Sequence, residues 1–215
     1  MTIEAATDGA RAEALTELAE RTRRLMDAVA TTGAPPDELA AVAAELEALT
    51  RRLGGSGGPA PHPYEIAPDG SLRALGNAVV GAANPFALPL VVERTPAGVR
   101  AEVTFRPLHE GPPGGVHGGI SAMVLDHLLG QANAAAGFAG VTVSLTMTYR
   151  AMVPYGAPVV ATAEHTRSEG RKNWAGGRIS APDGTVLVEA AGLFVTPAAW
   201  VRDGLPVRGA AQSGE

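Results

Sequence analysis

The stretch Gly111-Pro-Pro-Gly-Gly-Val-His-Gly-Gly-Ile-Ser-Ala-Met-Val-Leu-Asp126 decides how the rest of the chain is organised. Its Gly/Pro loop leads into an apolar segment, residues 120–138, which is long enough for a central helix and carries a single acid, Asp126. A helix that starts at His117-Gly118-Gly119 leaves its first amides without intrahelical partners, and glycine lets a ligand atom approach them closely. The stretch therefore predicts an anion or oxyanion site at the start of the helix.

The composition narrows the class of protein. A chain of 215 residues with 46% hydrophobic and 18% charged residues fits one ordinary core and a small appendage. The net charge of -5, without a long Lys/Arg run, disfavours nucleic acid or an anionic membrane as the main partner. The sequence contains no cysteine, so it offers no disulfide, thiolate nucleophile or Cys-ligated metal.

No segment has the pattern of a signal peptide or a membrane span. The residues after Met1 lack a basic region followed by an apolar one. The most apolar segment, 120–138, contains polar residues that would be costly in lipid, namely Asp126, His127, Gln131 and Asn133. We therefore expect a soluble, cytoplasmic protein.

The first part of the chain, residues 1–53, has the pattern of a helical hairpin. Two segments with apolar residues at alternating spacings of three and four flank the break at 31–36, and this spacing is typical of amphipathic helices. The positions on this spacing are Leu15, Leu18, Thr22, Leu25 and Val29 in the first segment and Leu39, Val42, Leu46, Leu49 and Leu53 in the second, and all but Thr22 are apolar. Each seam is too short for a free coiled coil, so the hairpin must pack on itself, on the main domain or on a second subunit.

Composition also marks the domain boundaries. Residues 54–63 are rich in Gly and Pro and form a linker. The main domain is then expected to span 64–197, followed by a flexible tail, 198–215, of small and polar residues without a pattern.

Within the main domain, one long helix interrupts a series of strands. Alternating patterns and turn residues predict six strands, at 90–94, 99–105, 141–149, 159–167, 174–180 and 185–196. A hairpin, a helix and four successive strands favour an antiparallel sheet of about six strands wrapped around the helix, an α+β fold.

The spacing along that helix predicts a site shared between two subunits. Gly118 and Asp126 lie about 12 Å apart at about 1.5 Å per residue, so one reacting group cannot touch both ends of one helix. A second, antiparallel copy in a two-fold dimer supplies the missing half and gives two equivalent sites.

Such a site suits acyl transfer to water. A glycine amide stabilises the developing oxyanion, and a carboxylate activates water or attacks directly. No Gly-x-Ser-x-Gly sequence lies between a predicted strand and a predicted helix, as a nucleophile elbow requires, and the chain has no cysteine, so a carboxylate mechanism is favoured. An isolated aspartate in a helix is also commonly an exposed or capped residue, and spacing does not separate these two interpretations.

The motif His117-Gly118-Gly119 with Asp126 nine residues after the histidine resembles the hotdog-fold acyl-CoA thioesterases of the phenylacetate-degradation type. The resemblance extends over about residues 84–195 and excludes the N-terminal helices. It implies that the Gly118 amide polarises the thioester carbonyl, that His117 positions that amide, and that Asp126 of the partner subunit is the general base or nucleophile. It also implies that Thr142 holds the attacking water or the carboxylate. The substrate would be an acyl-CoA, with no cofactor beyond the coenzyme A that it contains, and the assembly a homodimer or a dimer of dimers.

Further contacts with the substrate are expected at Gly119 and at a basic cluster, Arg167, Arg171 and Lys172, that surrounds a turn at Gly170. These cations suit the phosphates of coenzyme A, although such clusters are also common on solvated turns. His109 and His117 flank the Gly/Pro loop but lack an acid cluster, so we expect no metal site.

Gly111 leaves a second function open. Relatives often carry a polar amide residue about six positions before the histidine, where this chain has Gly111. A hotdog protein that binds acyl-CoA or acyl-carrier thioesters without hydrolysing them is therefore the alternative. A hydratase is disfavoured because the helix lacks an Asp-x4-His pair, and a third possibility is an assembly module that works through residues 1–53.

Overall fold

A computed structural model describes residues 7–58, 61, 64–66 and 72–202. The chain forms two compact units, Thr2–Ala87 and Leu88–Glu215. The division falls after the 54–63 linker because residues beyond the linker bond back to the first helical segment. Glu65 accepts a hydrogen bond from the Thr7 amide, at 3.0 Å, and the Asn84 carbonyl accepts one from Arg23, at 2.9 Å.

The first unit contains two helices, as predicted. They are α1, Gly9–Thr31, and α2, Pro36–Gly54, and two short strands follow, β1, Glu65–Ile66, and β2, Leu72–Arg73. Asp8 caps α1 by accepting a hydrogen bond from the Arg11 amide, and proline opens α2, where a missing N–H costs nothing.

The buried side of α1 differs from the predicted leucine stripe. Its buried residues are Ala12, Ala19 and Arg23, and no residue of α2 is buried. Arg23 is 5% exposed because its guanidinium donates to the carbonyls of Ala82 and Asn84. A charged side chain at this depth needs such partners, and an apolar count does not reveal them.

The second unit has the predicted antiparallel α+β architecture. Its strands run in the order β3-β4-β6-β7-β8-β5, and every neighbouring pair is antiparallel. The strands are β3, Glu93–Thr95; β4, Gly98–Thr104; β5, Val141–Tyr149; β6, Pro158–Glu169; β7, Lys172–Ser180; and β8, Val186–Val195.

One long helix, α3, Gly118–Ala135, packs against this sheet. It buries a continuous apolar side that includes Val124, Leu125, Leu128 and Leu129. Glycines on the facing strands make the close approach possible. A β carbon at Gly177 would lie 2.7 Å from Leu129. The sheet therefore fixes both the position of α3 and the direction of its exposed polar residues.

After β8 the chain forms a short helix, α4, Ala198–Arg202, so the predicted tail is helical at its start, and residues 203–215 lie outside the described residues. Among the described residues, no helix has the length and apolar character needed to cross a membrane.

Candidate active site

The start of α3 presents the backbone amide of Gly118, next to the side chain that caps the helix. The His117 ring caps the helix, with Nδ1 accepting a hydrogen bond from the Gly119 amide at 3.0 Å. The His117 carbonyl accepts the Ile120 amide at 2.9 Å. Within the part of the chain that the structure describes, the Gly118 amide donates to no acceptor. It points out of a helix N-terminus, where the dipole favours negative charge.

Tyr149 fixes this helix start from the end of β5. Its hydroxyl donates to the Gly118 carbonyl at 2.9 Å. A β carbon at Gly118 would lie 3.0 Å from that hydroxyl, so glycine allows the phenol to lie directly on the backbone. Sequence analysis missed Tyr149, because its contact with Gly118 depends on where β5 crosses α3.

Asp126 and Thr142 meet farther along α3, away from Gly118. The Thr142 hydroxyl donates to Asp126 Oδ1 at 2.8 Å, which orients the carboxylate toward the start of β5. Asp126 is half-buried and Thr142 is exposed. The pair that the family resemblance implied is therefore in contact, whereas Asp126 lies eight positions along the helix from Gly118, about 12 Å.

The Gly/Pro loop before α3 is held by Glu110 and by the glycine at 111. Glu110 accepts a hydrogen bond from the Gly114 amide at 2.7 Å, so its carboxylate closes the loop. A β carbon at Gly111 would lie 2.7 Å from His117 Cα. A polar amide side chain at 111 would therefore require the backbone to shift.

A cavity of about 380 Å³ lies beside Gly118. Its lining is largely apolar, and the residues include Pro112, Val116, Tyr149, Met152 and Val153. Ser121 also lines the cavity, and its buried hydroxyl has no hydrogen-bond partner within the described chain. Another cavity, of about 420 Å³, lies over β4, β6 and β7 and includes neither Gly118 nor Asp126.

The three basic candidates lie at one end of the sheet, away from Gly118. Lys172 pairs with Val195, which pairs with Val141 at the start of β5, whereas Tyr149 and Gly118 meet at its far end. The Arg167 guanidinium lies 3.9 Å from the centroid of the Trp174 ring. Arg171 donates to the Thr196 carbonyl at 3.1 Å. Within one chain these cations lie nearer to the Thr142 end of β5 than to the free amide.

No group of three or more His, Asp and Glu residues suited to a metal ion occurs among the described residues. The Nδ1 atom of His109 accepts a hydrogen bond from the Arg106 amide at 3.1 Å and is therefore occupied within the chain. The His109 carbonyl in turn accepts the His117 amide at 2.8 Å, which joins the two histidines through the backbone.

Two other histidines of this unit have a lowered pKa. Burial lowers the pKa of His127 below the ordinary value of 6.5, and the neighbouring Asp126 charge only partly opposes this. Burial also lowers the pKa of His165, whose Nδ1 lies 2.7 Å from the side-chain amide oxygen of Asn133, Oδ1. The ring of His165 stacks on Phe138, with the centroids 4.9 Å apart.

These histidines predict a loss of stability in mild acid. Below pH 6.5 both rings protonate more readily in the unfolded chain than in the folded one. The free energy of unfolding should therefore fall as the pH drops below that value, by at most about 1.4 kcal/mol per pH unit for each ring. Urea unfolding at pH 7.5 and 5.5 measures this, and His127→Gln should make the difference smaller. If both His127→Gln and His165→Gln lost as much unfolding free energy between pH 7.5 and 5.5 as the native protein, these two histidines would not be the cause of the loss.

Comparisons with known proteins identify the family and the fold of the chain. Residues 113–188 match a family model described as the thioesterase superfamily. The chain is 37% identical over 90 residues to acyl-coenzyme A thioesterase THEM4 of Xenopus laevis, and the match covers 41% of this chain. The chain spans only 40% of that relative's length.

A solved structure matches nearly the whole protein. It is that of protein RHA08564, a thioesterase superfamily protein, with 35% sequence identity and a TM-score of 0.75. The match covers 84% of this chain and 94% of that one. The predicted hotdog fold is thereby confirmed, and the chain belongs to the thioesterase superfamily.

Proposed function

We propose that the protein hydrolyses an acyl-CoA thioester to a free acid and coenzyme A. On the spacing of His117-Gly118-Gly119 and Asp126, we assign it to the phenylacetate-degradation type of hotdog thioesterase. The single observation that carries the proposal is the Gly118 amide, which has no acceptor within the described chain and lies at a helix N-terminus beside an apolar cavity. A thioester carbonyl placed there gains a hydrogen bond that strengthens as negative charge develops on its oxygen.

The attacking group in this proposal is Asp126 of the partner subunit. The Thr142 hydroxyl bonds to one carboxylate oxygen, Oδ1, which leaves the other to meet water or the substrate. As a base, the carboxylate takes a proton from water while the water oxygen adds to the carbonyl carbon. As a nucleophile, it forms an anhydride that water then opens. In both routes the tetrahedral oxyanion collapses, the carbon–sulfur bond breaks and the coenzyme A thiolate leaves.

The edge strand β5 supports assembly as a homodimer. Among the described strands, β5 lies at an edge of the sheet and pairs with β8 alone, and its residues Val141 and Val143 are 47% and 59% exposed. A second copy that pairs along this edge would cover these side chains and remove an exposed edge, which proteins generally avoid. It would also bring a second α3 alongside the first. The proposed assembly is therefore a homodimer or a dimer of such dimers.

The remaining contacts complete the proposal. Arg167, Arg171 and Lys172 would meet the phosphates of coenzyme A from the partner's end of the site, and Gly119 would allow the substrate close to the helix start. The cavity beside Gly118 would take part of the acyl group. A cytoplasmic location fits the sequence, since the chain has no cysteine to oxidise.

Binding without hydrolysis remains the second candidate, and the observation that favours it is Gly111. The tight contact between Gly111 and His117 leaves no room for a polar side chain that would position water there. In this case the protein would hold acyl-CoA or acyl-carrier thioesters intact.

The deciding experiment measures release of the coenzyme A thiol by the full chain from short aliphatic, long aliphatic and aromatic acyl-CoAs. We expect turnover of at least one class. Calorimetric binding of all three without thiol release would support the binding protein and overturn the hydrolase.

Thr142→Ala is expected to lower kcat about 10- to 100-fold, the range for losing a hydrogen bond to a charged group. Thr142→Ser retains the hydroxyl and should recover most of the activity. Thr146→Ala, on the same strand and also exposed, is the matched control and should behave as wild type. Thiol-release kinetics provides the measurement, and equal activity of Thr142→Ala and wild type would remove Thr142 from the mechanism.

A further inference from the structure

The second helix of the first unit has an apolar side that is exposed in the described part of the chain. Leu39, Leu49 and Leu53 of α2 are 45%, 51% and 58% exposed, and none of its residues is buried. With Val42 and Leu46, these leucines recur at spacings of three and four over two heptads. Most of the stability of a helix in a protein comes from packing of its apolar side, so this side of α2 requires a partner.

The charges of α2 indicate what that partner is. Asp37 and Glu38 lie in its first turn, and Arg51 and Arg52 lie in its last turn. Two copies packed antiparallel place the acidic end of each helix on the basic end of the other, and their helix dipoles also oppose. A parallel pair would bring like charges together at both ends.

We infer that α2 packs antiparallel against α2 of a second copy of this chain. Ala43 lies beside the apolar stripe, and its small side chain allows the helix axes to approach closely. A second copy is favoured over an unrelated partner because the stripe and its end charges are self-complementary under a two-fold axis. This contact does not depend on the proposed hydrolysis and would form in a binding protein as well.

The absence of cysteine allows a direct test of the orientation. Full-length Glu38→Cys and Arg52→Cys proteins are mixed in equal amounts, allowed to exchange subunits and oxidised. Antiparallel packing predicts disulfides between position 38 of one chain and position 52 of the other. In a parallel pair these positions are about 21 Å apart along the axis, so disulfides between identical positions would form instead. Their dominance would overturn the inference.

The role of the leucine stripe is tested by introducing a glutamate either within the stripe or on the opposite side of the helix. Leu49→Glu in the cysteine variants should lower the yield of the 38–52 disulfide about tenfold. Ala44→Glu adds the same charge to an exposed position on the opposite side and should leave the yield unchanged. Since Leu49 is exposed, its substitution leaves no core cavity, and circular dichroism checks the helix content. An Ala44→Cys protein, with its cysteine on the opposite side of the helix, gives the background yield of disulfide. The inference would also be overturned if the 38–52 disulfide formed in no greater yield than this background. The same would follow if Leu49→Glu did not lower the yield of the 38–52 disulfide.

Discussion

Asp126→Asn is expected to lower kcat at least about a thousandfold, because a carboxylate that acts as base or nucleophile has no substitute in the site. Asparagine has nearly the same shape, and its carbonyl oxygen can still accept the hydrogen bond from Thr142, which is 2.8 Å in the native protein. The binding of acyl-CoA should therefore change only a few fold. Thiol-release kinetics and calorimetry with a poorly turned-over substrate measure these two effects separately.

Asp183→Asn is the matched control for this substitution. Asp183 lies in an exposed turn, where its carboxylate accepts the Thr185 amide at 2.9 Å, far in sequence from the site residues. It should leave kcat unchanged. If Asp126→Asn retained more than about a tenth of the native kcat, well above the loss expected for a missing base or nucleophile, Asp126 would not be the attacking group.

Gly118→Pro is expected to abolish turnover by removing the amide, since proline has no N–H and fits the first position of a helix. Mixed with Asp126→Asn protein under conditions of subunit exchange, it should recover about one quarter of the native activity. Random exchange makes half of the dimers mixed, and each mixed dimer contains one intact site out of two. Titrating one inactive protein into the other while following thiol release measures the recovery.

Gly118→Ala separates the lost amide from steric crowding. Alanine retains the N–H, but its β carbon lies 3.0 Å from the Tyr149 hydroxyl, so it crowds the same phenol as proline does. We expect Gly118→Ala to retain substantially more activity than Gly118→Pro. If confirmed subunit exchange restored no activity, the site would not be shared between subunits.

Much of the second unit could be predicted from local sequence patterns. The alternation over residues 141–149 corresponds to β5, and the Gly/Pro loop ends where α3 begins, at Gly118. These features depend on neighbouring residues, which a pattern reports directly. The contact between Thr142 and Asp126, by contrast, was expected only from a family resemblance.

Contacts that depend on how elements cross were not predictable in this way. Tyr149 reaches the Gly118 carbonyl across 31 residues of sequence. Arg23 can be buried because the carbonyls of Ala82 and Asn84, distant in sequence, accept hydrogen bonds from its guanidinium. Residues 65–66 and 72–84 belong to the first unit because of the same kind of long-range hydrogen bonds.

The position of Gly118 and Asp126 on one rigid helix has a consequence for how the protein tolerates change. In the proposed dimer, the length of α3 from Gly118 to Asp126 sets the distance between the amide and the carboxylate of each chain. It therefore affects both sites at once. Inserting or deleting a residue between them would turn Asp126 by about 100° and spoil the two sites together. The number of residues in this interval is therefore constrained as strongly as their identities, even where the side chains only pack.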